Sequence, residues 1–162
     1  MKEKAVTIKY KDFESWTELN PADQKLMQKA VEAAEDAYAP YSNFRVGAAV
    51  QLENEMIEIG SNQENAAYPS GLCAERVTLF SASAKNPTVL MKTLAIYAAD
   101  AQDAESQISP CGSCRQVMQE YEAKQNKAIR VLVMNKAKRV FEFESCEDLL
   151  PLAFQISFPK KQ

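Results

Sequence analysis

The chain has 162 residues, 46% of them hydrophobic and 25% charged, which fits one globular domain able to bury its own core. The formal net charge of −3 argues against an extended surface for nucleic acid or for an anionic membrane. Because the sequence contains no histidine, a metal site or a proton-transfer group has to be built mainly from Cys, Asp or Glu. The sequence has no apolar run of roughly 18 residues and no basic, then apolar leader, so we expect a cytoplasmic protein without a membrane partner.

The first half of the sequence predicts a strand, a helix and a hairpin. The strand is expected at a sheet edge or as an arm onto another subunit. Asn20 is suited to cap the helix, whose first residue is Pro21, and Pro40 stops it. In the hairpin, Gly47 allows another backbone to come close. These elements are expected over residues 5–10, 21–39, 44–52 and 56–60.

The second half predicts strands that alternate with helices. Helices are expected over 73–84, 111–121 and 146–150, and strands over 94–99, 129–134 and 139–143, with a polar loop over 100–110. Ser109 is a candidate N-cap of the second of these helices. The inward face of the first is expected to carry Cys73, Arg76, Val77, Phe80 and Ala84. This alternation predicts an α/β fold with a mixed sheet covered by helices.

Three of the four cysteines have the spacing of metal ligands. Cys111 and Cys114 are three residues apart, which places both on one side of a helix start, and Cys73 lies at the start of the preceding helix. Helix starts that follow neighbouring strands can meet at one edge of the sheet, and a helix N-terminus favours the thiolate form. Three thiolates leave one tetrahedral position for water, as in a catalytic Zn²⁺ site. Cys146 lies outside this pattern and is interpreted as a buried or free thiol.

Two charged residues beside Cys73 have the chemistry that a catalytic zinc needs. Glu75 can accept a proton from the activated water and deliver it elsewhere without being a ligand. Three thiolates and Zn²⁺ carry a net negative charge, which Arg76 can offset by donating hydrogen bonds to the sulfurs. Taken singly, these residues are more simply explained as a redox pair, a buried apolar cysteine, a solvated carboxylate and a surface arginine. Their combination favours the catalytic zinc.

Five stretches of the sequence form a wider pattern: AYAPYSNFRVGAA at 37–49, NQENAAYPSGL at 62–72, CAER at 73–76, PCGSCRQV at 110–117 and LLPLAF at 149–154. In these stretches the chain resembles the cytidine deaminase family of the small, homotetrameric, three-cysteine type. The resemblance implies a three-layer α/β/α sandwich with a mixed, roughly five-stranded sheet. It also implies a catalytic domain over residues 21–162 and a homotetramer that binds a small nucleoside in pyrimidine salvage. Residues 1–20 depart from the family pattern and are interpreted as an N-terminal extension, either an edge strand or an arm.

The same resemblance implies the chemistry. Cys73, Cys111 and Cys114 correspond to the ligands of one Zn²⁺ per subunit. Glu75 corresponds to the proton carrier, which protonates ring N3 and then the leaving ammonia. The product is uridine or deoxyuridine. Arg76 is expected to balance the charge of the thiolates.

The resemblance further implies how the nucleoside is held. Asn62 and Glu64 correspond to the pair that hydrogen-bonds the ribose 3′-hydroxyl, and Phe44 to the ring that packs on the base. Ala74 is expected to offer its backbone N–H near the pyrimidine O2. Two more aromatic residues are expected to contribute to a neighbouring subunit's site: Tyr68 and Phe154.

Two alternative functions remain open on the sequence. The same site could deaminate a different aminopyrimidine nucleoside. The chain could also be a non-enzymatic, zinc-stabilised binding module. That second alternative requires a closed site with a fourth protein ligand, either Cys146 or a carboxylate.

Overall fold

The computed structural model describes residues 1–100 and 108–155. Within them, strands and helices alternate as an α/β fold: β1 (Lys11–Phe13), α1 (Pro21–Glu35), β2 (Val46–Leu52), β3 (Ile57–Ser61), α2 (Ala74–Lys85), β4 (Met91–Ala98), α3 (Gly112–Gln125), β5 (Arg130–Met134) and β6 (Val140–Phe143). Three short 3-10 helices cover Trp16–Glu18, Tyr68–Ser70 and Cys146–Leu149. Most of the polar loop expected over 100–110 lies outside the described residues.

The strands form one mixed sheet in the order β1-β6-β5-β4-β2-β3. Its central neighbours β4 and β5 are parallel, whereas the other neighbouring pairs are antiparallel. Helix α1 packs on one face of the sheet, and α2 and α3 pack on the other. The three-layer sandwich is therefore confirmed, with six described strands in place of roughly five.

The N-terminal edge strand lies later in the chain than the sequence suggested. The predicted strand over 5–10 is wrong, because these residues have no regular structure, and β1 begins at Lys11. Two ion pairs hold β1 against its neighbour β6 and the turn before it: Lys11 with Glu142 at 3.2 Å and Asp12 with Arg139 at 2.6 Å. Backbone pairing with β6 and these ion pairs thus hold the strand at the edge of the sheet.

Helix α1 begins where the sequence indicated. The Asn20 side chain accepts a hydrogen bond from the Asp23 backbone N–H at 3.0 Å, which is the expected N-cap. The close approach expected at Gly47 is confirmed, because a Cβ there would lie only 2.0 Å from the Ala30 carbonyl oxygen. The helix ends at Glu35, so Tyr38 lies beyond it and is exposed.

Helix α2 buries a different face from the predicted one. Phe80 and Ala84 are exposed, although both were expected to point inward. Instead the Thr78 hydroxyl, which donates to the Ala74 carbonyl at 2.8 Å, lies 3.3 Å from the Ala48 carbonyl oxygen of β2, and the helix lies over Gly60, which has no side chain to keep it away. The residues of α2 that the sheet buries are Ala74, Glu75, Thr78, Leu79 and Ala82.

No helix in the described part of the chain combines the length and the apolar character that crossing a bilayer requires.

Candidate active site and metal centre

Three thiols converge where α2 and α3 begin. The sulfurs of Cys73, Cys111 and Cys114 all lie within 4.8 Å of one another. The Cys73 and Cys111 sulfurs are 3.9 Å apart, close to the roughly 3.8 Å that two Zn–S bonds of about 2.3 Å span in a tetrahedron. Cys114 is buried and Cys111 is exposed, so the cluster has one closed and one open side. The donor set therefore fits a zinc ion with a position left for a non-protein ligand.

Both helices begin with a cysteine at the N-cap. Cys73 occupies the N-cap position of α2 and Cys111 that of α3, but neither side chain makes a hydrogen bond to its helix there. The thiols are thus available for other partners, and they lie at the positive ends of two helix dipoles. The expectation that Ser109 caps α3 is wrong, because the helix begins later, behind Cys111.

The pKa values of the Cys73 and Cys114 thiols shift in opposite directions. A hydrogen bond from Cys114, aided by Arg76, lowers the pKa of Cys73 to about 5. The same contact raises the pKa of Cys114, because its S–H donates to the Cys73 thiolate, and burial acts in the same direction. A divalent cation would replace this shared proton, since metal ligands must be deprotonated.

Glu75 lies next to the thiols as a buried carboxyl. It is the second residue of α2 and its accessible fraction is only 5%. Burial raises the pKa of Glu75 to about 7, and the nearby Cys73 charge acts in the same direction. A carboxyl whose pKa is near neutral can both accept and donate a proton at physiological pH. Glu75 is not one of the grouped metal donors of the described residues, as expected of a proton carrier.

Arg76 faces the thiols from the same helix turn. Its guanidinium donates to the Gly71 carbonyl at 3.2 Å and to the Cys73 sulfur, where it lowers the pKa of that thiol. Its Nε is buried and has no hydrogen-bond partner among the described residues. A cation in this position can offset the negative charge of a thiolate cluster.

Two polar residues after β3 hold the loop that precedes β2. The buried Asn62 accepts from the Val46 backbone N–H at 2.8 Å and donates to the Phe44 carbonyl at 2.9 Å. Glu64 accepts from the backbone N–H of Tyr41 at 2.9 Å, and contacts with Ser42 and Tyr41 lower the pKa of Glu64. This carboxyl is therefore an anion that can accept further hydrogen bonds.

A cleft of about 380 Å³ lies beside this loop. Its lining residues are Tyr41, Ser42, Glu64, Asn65, Tyr68 and Gly71. One lining residue, Gly71, accepts a hydrogen bond from Arg76 through its carbonyl, so Arg76 links this side of the cleft to the thiol cluster. Phe44 is partly exposed at the end of the loop, as a ring that packs on a base would be. The first residue of α2, Ala74, is fully buried, and its backbone N–H has no partner inside the helix.

The two aromatic residues expected near another subunit are exposed. Tyr68 has 77% of its surface accessible and meets Tyr41 edge-on at 6.1 Å between ring centroids. Phe154 is 73% accessible, and its backbone carbonyl accepts from Gln116 at 2.9 Å. The described residues of the chain therefore bury neither side chain.

Cys146 takes no part in the metal centre. It is buried in the core, and its thiol donates to the Ile129 carbonyl at 3.6 Å. In the described residues the grouped donors number three and include neither Cys146 nor a carboxylate. The fourth protein ligand that the non-enzymatic alternative requires is thus not grouped with the thiols in the described residues.

Sequence reasoning missed the residues that hold the site together by bonds to backbone carbonyls. Arg115 is the main one, because its guanidinium joins the turn before α3 to the 3-10 helix after β6. The sequence feature that could have indicated this role of Arg115 is its position directly after Cys114. The acceptors are peptide oxygens, which the sequence does not mark.

The comparisons with known proteins agree with this geometry. A family model described as the cytidine and deoxycytidylate deaminase zinc-binding region matches residues 20–129. A cytidine deaminase of Sporosarcina psychrophila is 40% identical over 131 residues, covering 81% of this chain and 90% of that protein.

Solved structures show the same similarity. A cytidine deaminase from Burkholderia pseudomallei has a TM-score of 0.70 and 39% identity, covering 80% of this chain and 97% of that one. A cytidine deaminase from Mycobacterium tuberculosis has a TM-score of 0.62 and 31% identity, covering 82% of this chain and 96% of that one. The thiol cluster and Glu75 lie inside the region matched by the family model. The chain therefore belongs to the cytidine and deoxycytidylate deaminase family.

Proposed function

We infer that this protein is a zinc-dependent hydrolase that deaminates cytidine or deoxycytidine, releasing ammonia and the corresponding uracil nucleoside. The observation that carries this inference is the cluster of three thiols with a buried, non-ligand carboxyl beside it, in a chain of this family. A membership based on the fold alone would not give the reaction, whereas this cluster supplies groups for both metal binding and proton transfer.

We propose Cys73, Cys111 and Cys114 as the residues that hold the zinc. When bound, the zinc makes a water molecule acidic enough to act as a nucleophile near neutral pH. Glu75 would accept a proton from that water and deliver protons to ring N3 and then to the departing ammonia. Its buried position and its pKa of about 7 support a group that both accepts and donates. Arg76 would offset the charge of the thiolates.

We propose that the cleft beside the metal centre holds the nucleoside. Glu64 and Asn62 would receive the ribose 3′-hydroxyl, and Phe44 would pack on the base. The Ala74 backbone N–H would donate to the pyrimidine O2. The free accepting capacity of Glu64 and the exposure of the Phe44 ring support these roles.

Ammonia release from cytidine and deoxycytidine, measured with and without a zinc chelator, tests the function directly. We expect release from at least one of them, loss of release after chelation and recovery when zinc is restored. A protein that holds zinc but releases no ammonia from either nucleoside would contradict the assignment. Release only from another aminopyrimidine nucleoside in the same assay would establish the alternative substrate.

We also propose that the protein is a cytoplasmic homotetramer. Large apolar side chains are exposed along α2 and the C-terminal segment, which is the usual mark of a surface that another chain covers. The most exposed of them are Phe80 on α2 and Leu152 and Phe154 in the C-terminal segment, and Tyr68, in the 3-10 helix before α2, is exposed as well. The described cysteines are all free thiols, as a reducing compartment favours.

We propose that residues 1–20 form an extension to a catalytic domain over 21–162. The match to the family model begins at residue 20, which supports this division. Strand β1 belongs to the extension, and its pairing with β6 places it at the edge of the sheet opposite β3. The extension would therefore stabilise that edge without contributing to the site.

A further inference from the structure

Arg115 lies in the first turn of α3 and donates hydrogen bonds to two separate segments of the chain. Its Nε donates to the Pro110 carbonyl at 2.7 Å, and its Nη2 donates to the Ser109 hydroxyl at 2.6 Å. Its Nη1 donates to the Leu149 carbonyl at 2.9 Å. All three acceptors are uncharged. One side chain therefore ties the turn that enters α3 to the segment that begins the C-terminal part of the chain.

The Pro110 carbonyl is in the same peptide group as the backbone nitrogen of Cys111. Because the peptide group is planar, holding this carbonyl also sets the direction in which the chain enters Cys111. The Cys111 side chain is exposed and makes no capping hydrogen bond, so the helix start does not fix its thiol. The position of that sulfur therefore depends on the backbone that Arg115 holds.

Gln116 binds the same C-terminal segment at a second point. Its Nε2 donates to the Phe154 carbonyl at 2.9 Å. Arg115 and Gln116 thus contact this segment at Leu149 and Phe154, but only Arg115 also contacts the turn before Cys111. Gln116 therefore shares the contact with the C-terminal segment but lacks the contact with the turn, which makes a Gln116 variant a matched control for an Arg115 variant.

We propose that Arg115 is a positioning residue for the metal centre, holding the turn before Cys111 and the C-terminal segment in one arrangement. This rests on the proposed zinc site of Cys73, Cys111 and Cys114. Hydrogen bonds around metal ligands orient the ligands, and losing one such partner typically costs about 10- to 100-fold in metal affinity. Arg115 acts through the backbone of a ligand and does not itself contact the nucleoside.

The test is the rate at which the zinc-loaded protein loses zinc to pyridylazoresorcinol, a coloured chelator. Arg115→Lys keeps the positive charge, but one ammonium group cannot serve three acceptors in a planar fork. We expect this variant to lose zinc about tenfold faster than the parent protein, or more. Gln116→Ala and Arg139→Ala, the latter at a distant ion pair, are expected to stay near the parent rate.

Thermal unfolding of the zinc-free proteins separates positioning from general weakening. A positioning role predicts that Arg115→Lys loses much more in zinc retention than in zinc-free stability. If Arg115→Lys does not fold, Ser109→Ala removes a single acceptor and is expected to accelerate zinc loss by a smaller factor.

Two results would overturn the proposal: zinc loss from the folded Arg115 or Ser109 variant within about twofold of the parent, or equally fast loss from Gln116→Ala. A parent protein that binds no zinc would be a separate result, since it would overturn the proposed function itself.

Discussion

At the scale of single residues, Glu75 separates metal binding from turnover. Its carboxyl is buried beside the thiols but is not grouped with the described metal donors. Glu75→Gln preserves the shape and removes the proton carrier, so we expect full zinc content and a rate reduced by about 10²- to 10⁴-fold. Zinc analysis and ammonia release measure the two effects separately.

The exposed Glu120 on α3 offers a control for this substitution. Glu120→Gln is expected to leave both the zinc content and the rate unchanged. A Glu75→Gln protein that deaminates cytidine at the parent rate would show that another group moves the protons.

The residues of the site differ in how far the sequence could predict them. The thiols and Glu75 were predictable because their chemistry requires those residue types at fixed spacings. The side-chain bonds of Asn62 to the backbone around Phe44 and Val46 were not, because their partners are peptide groups. Helical spacing alone predicted that Phe80 points inward. The opposite side of α2 fits closely against the sheet, which leaves the Phe80 ring exposed.

At the scale of elements, Gly47 sets how closely α1 lies on the sheet. A Cβ at this position would be 2.0 Å from the Ala30 oxygen and 2.4 Å from the Ala34 nitrogen, which are backbone atoms that cannot rotate away. Gly47→Ala is therefore expected to reduce the free energy of unfolding by about 1–3 kcal/mol or more, as overpacking does. Urea unfolding of the zinc-saturated protein measures this loss.

The N-terminal residue of α3 provides the comparison for Gly47. A Cβ at Gly112 meets no heavy atom within 4 Å. Gly112→Ala is expected to change the free energy of unfolding by about 1 kcal/mol at most. Equal losses in the two variants would show that chain flexibility, and not the contact with α1, is what matters at Gly47.

The edge strand β1 makes part of the stability depend on pH. The hydrogen bond from Arg139 lowers the pKa of Asp12 below its ordinary 3.8. A carboxyl with a lowered pKa contributes stability above its unfolded pKa and loses it as the pH falls through the folded value. Asp12→Asn is expected to cost about 1 kcal/mol or less at neutral pH, because the pair is partly exposed, and nothing in strong acid.

Urea unfolding of zinc-free protein at about pH 7 and about pH 3 measures this difference. Glu14 is exposed and makes no hydrogen bond or ion pair with its side chain among the described residues, so Glu14→Gln is the control at both pH values. A cost of Asp12→Asn that stays constant with pH would contradict the ion-pair explanation. The sequence could not locate β1, because its partners on β6 and in the preceding turn lie more than 120 residues away.

At the scale of the whole molecule, the exposed side of α2 predicts assembly. Phe80 is 40% accessible and packs at 6.4 Å against Tyr121 of α3, so an aromatic pair faces outward. Light scattering is expected to give four times the 18.1 kDa mass of one chain. Phe80→Asp would place a charge in the interface and is expected to lower that mass.

Met56, exposed in the turn between β2 and β3, provides the control for assembly. Met56→Asp is expected to keep the parent mass. A parent protein with the mass of one chain would overturn the tetramer, and an unchanged mass in Phe80→Asp would place the interface on another surface.

The convergence of Cys73 and Cys111 also has a consequence for the unfolded chain. These residues are 38 positions apart, so a metal held by both closes a loop of that length. In a chain-entropy treatment, such a cross-link disfavours the unfolded ensemble by about 4 kcal/mol if it persists there. Zinc would then be a reversible cross-link of the chain as well as a cofactor. Chelation would remove both roles at once, and the two helix starts would lose the bond that joins them.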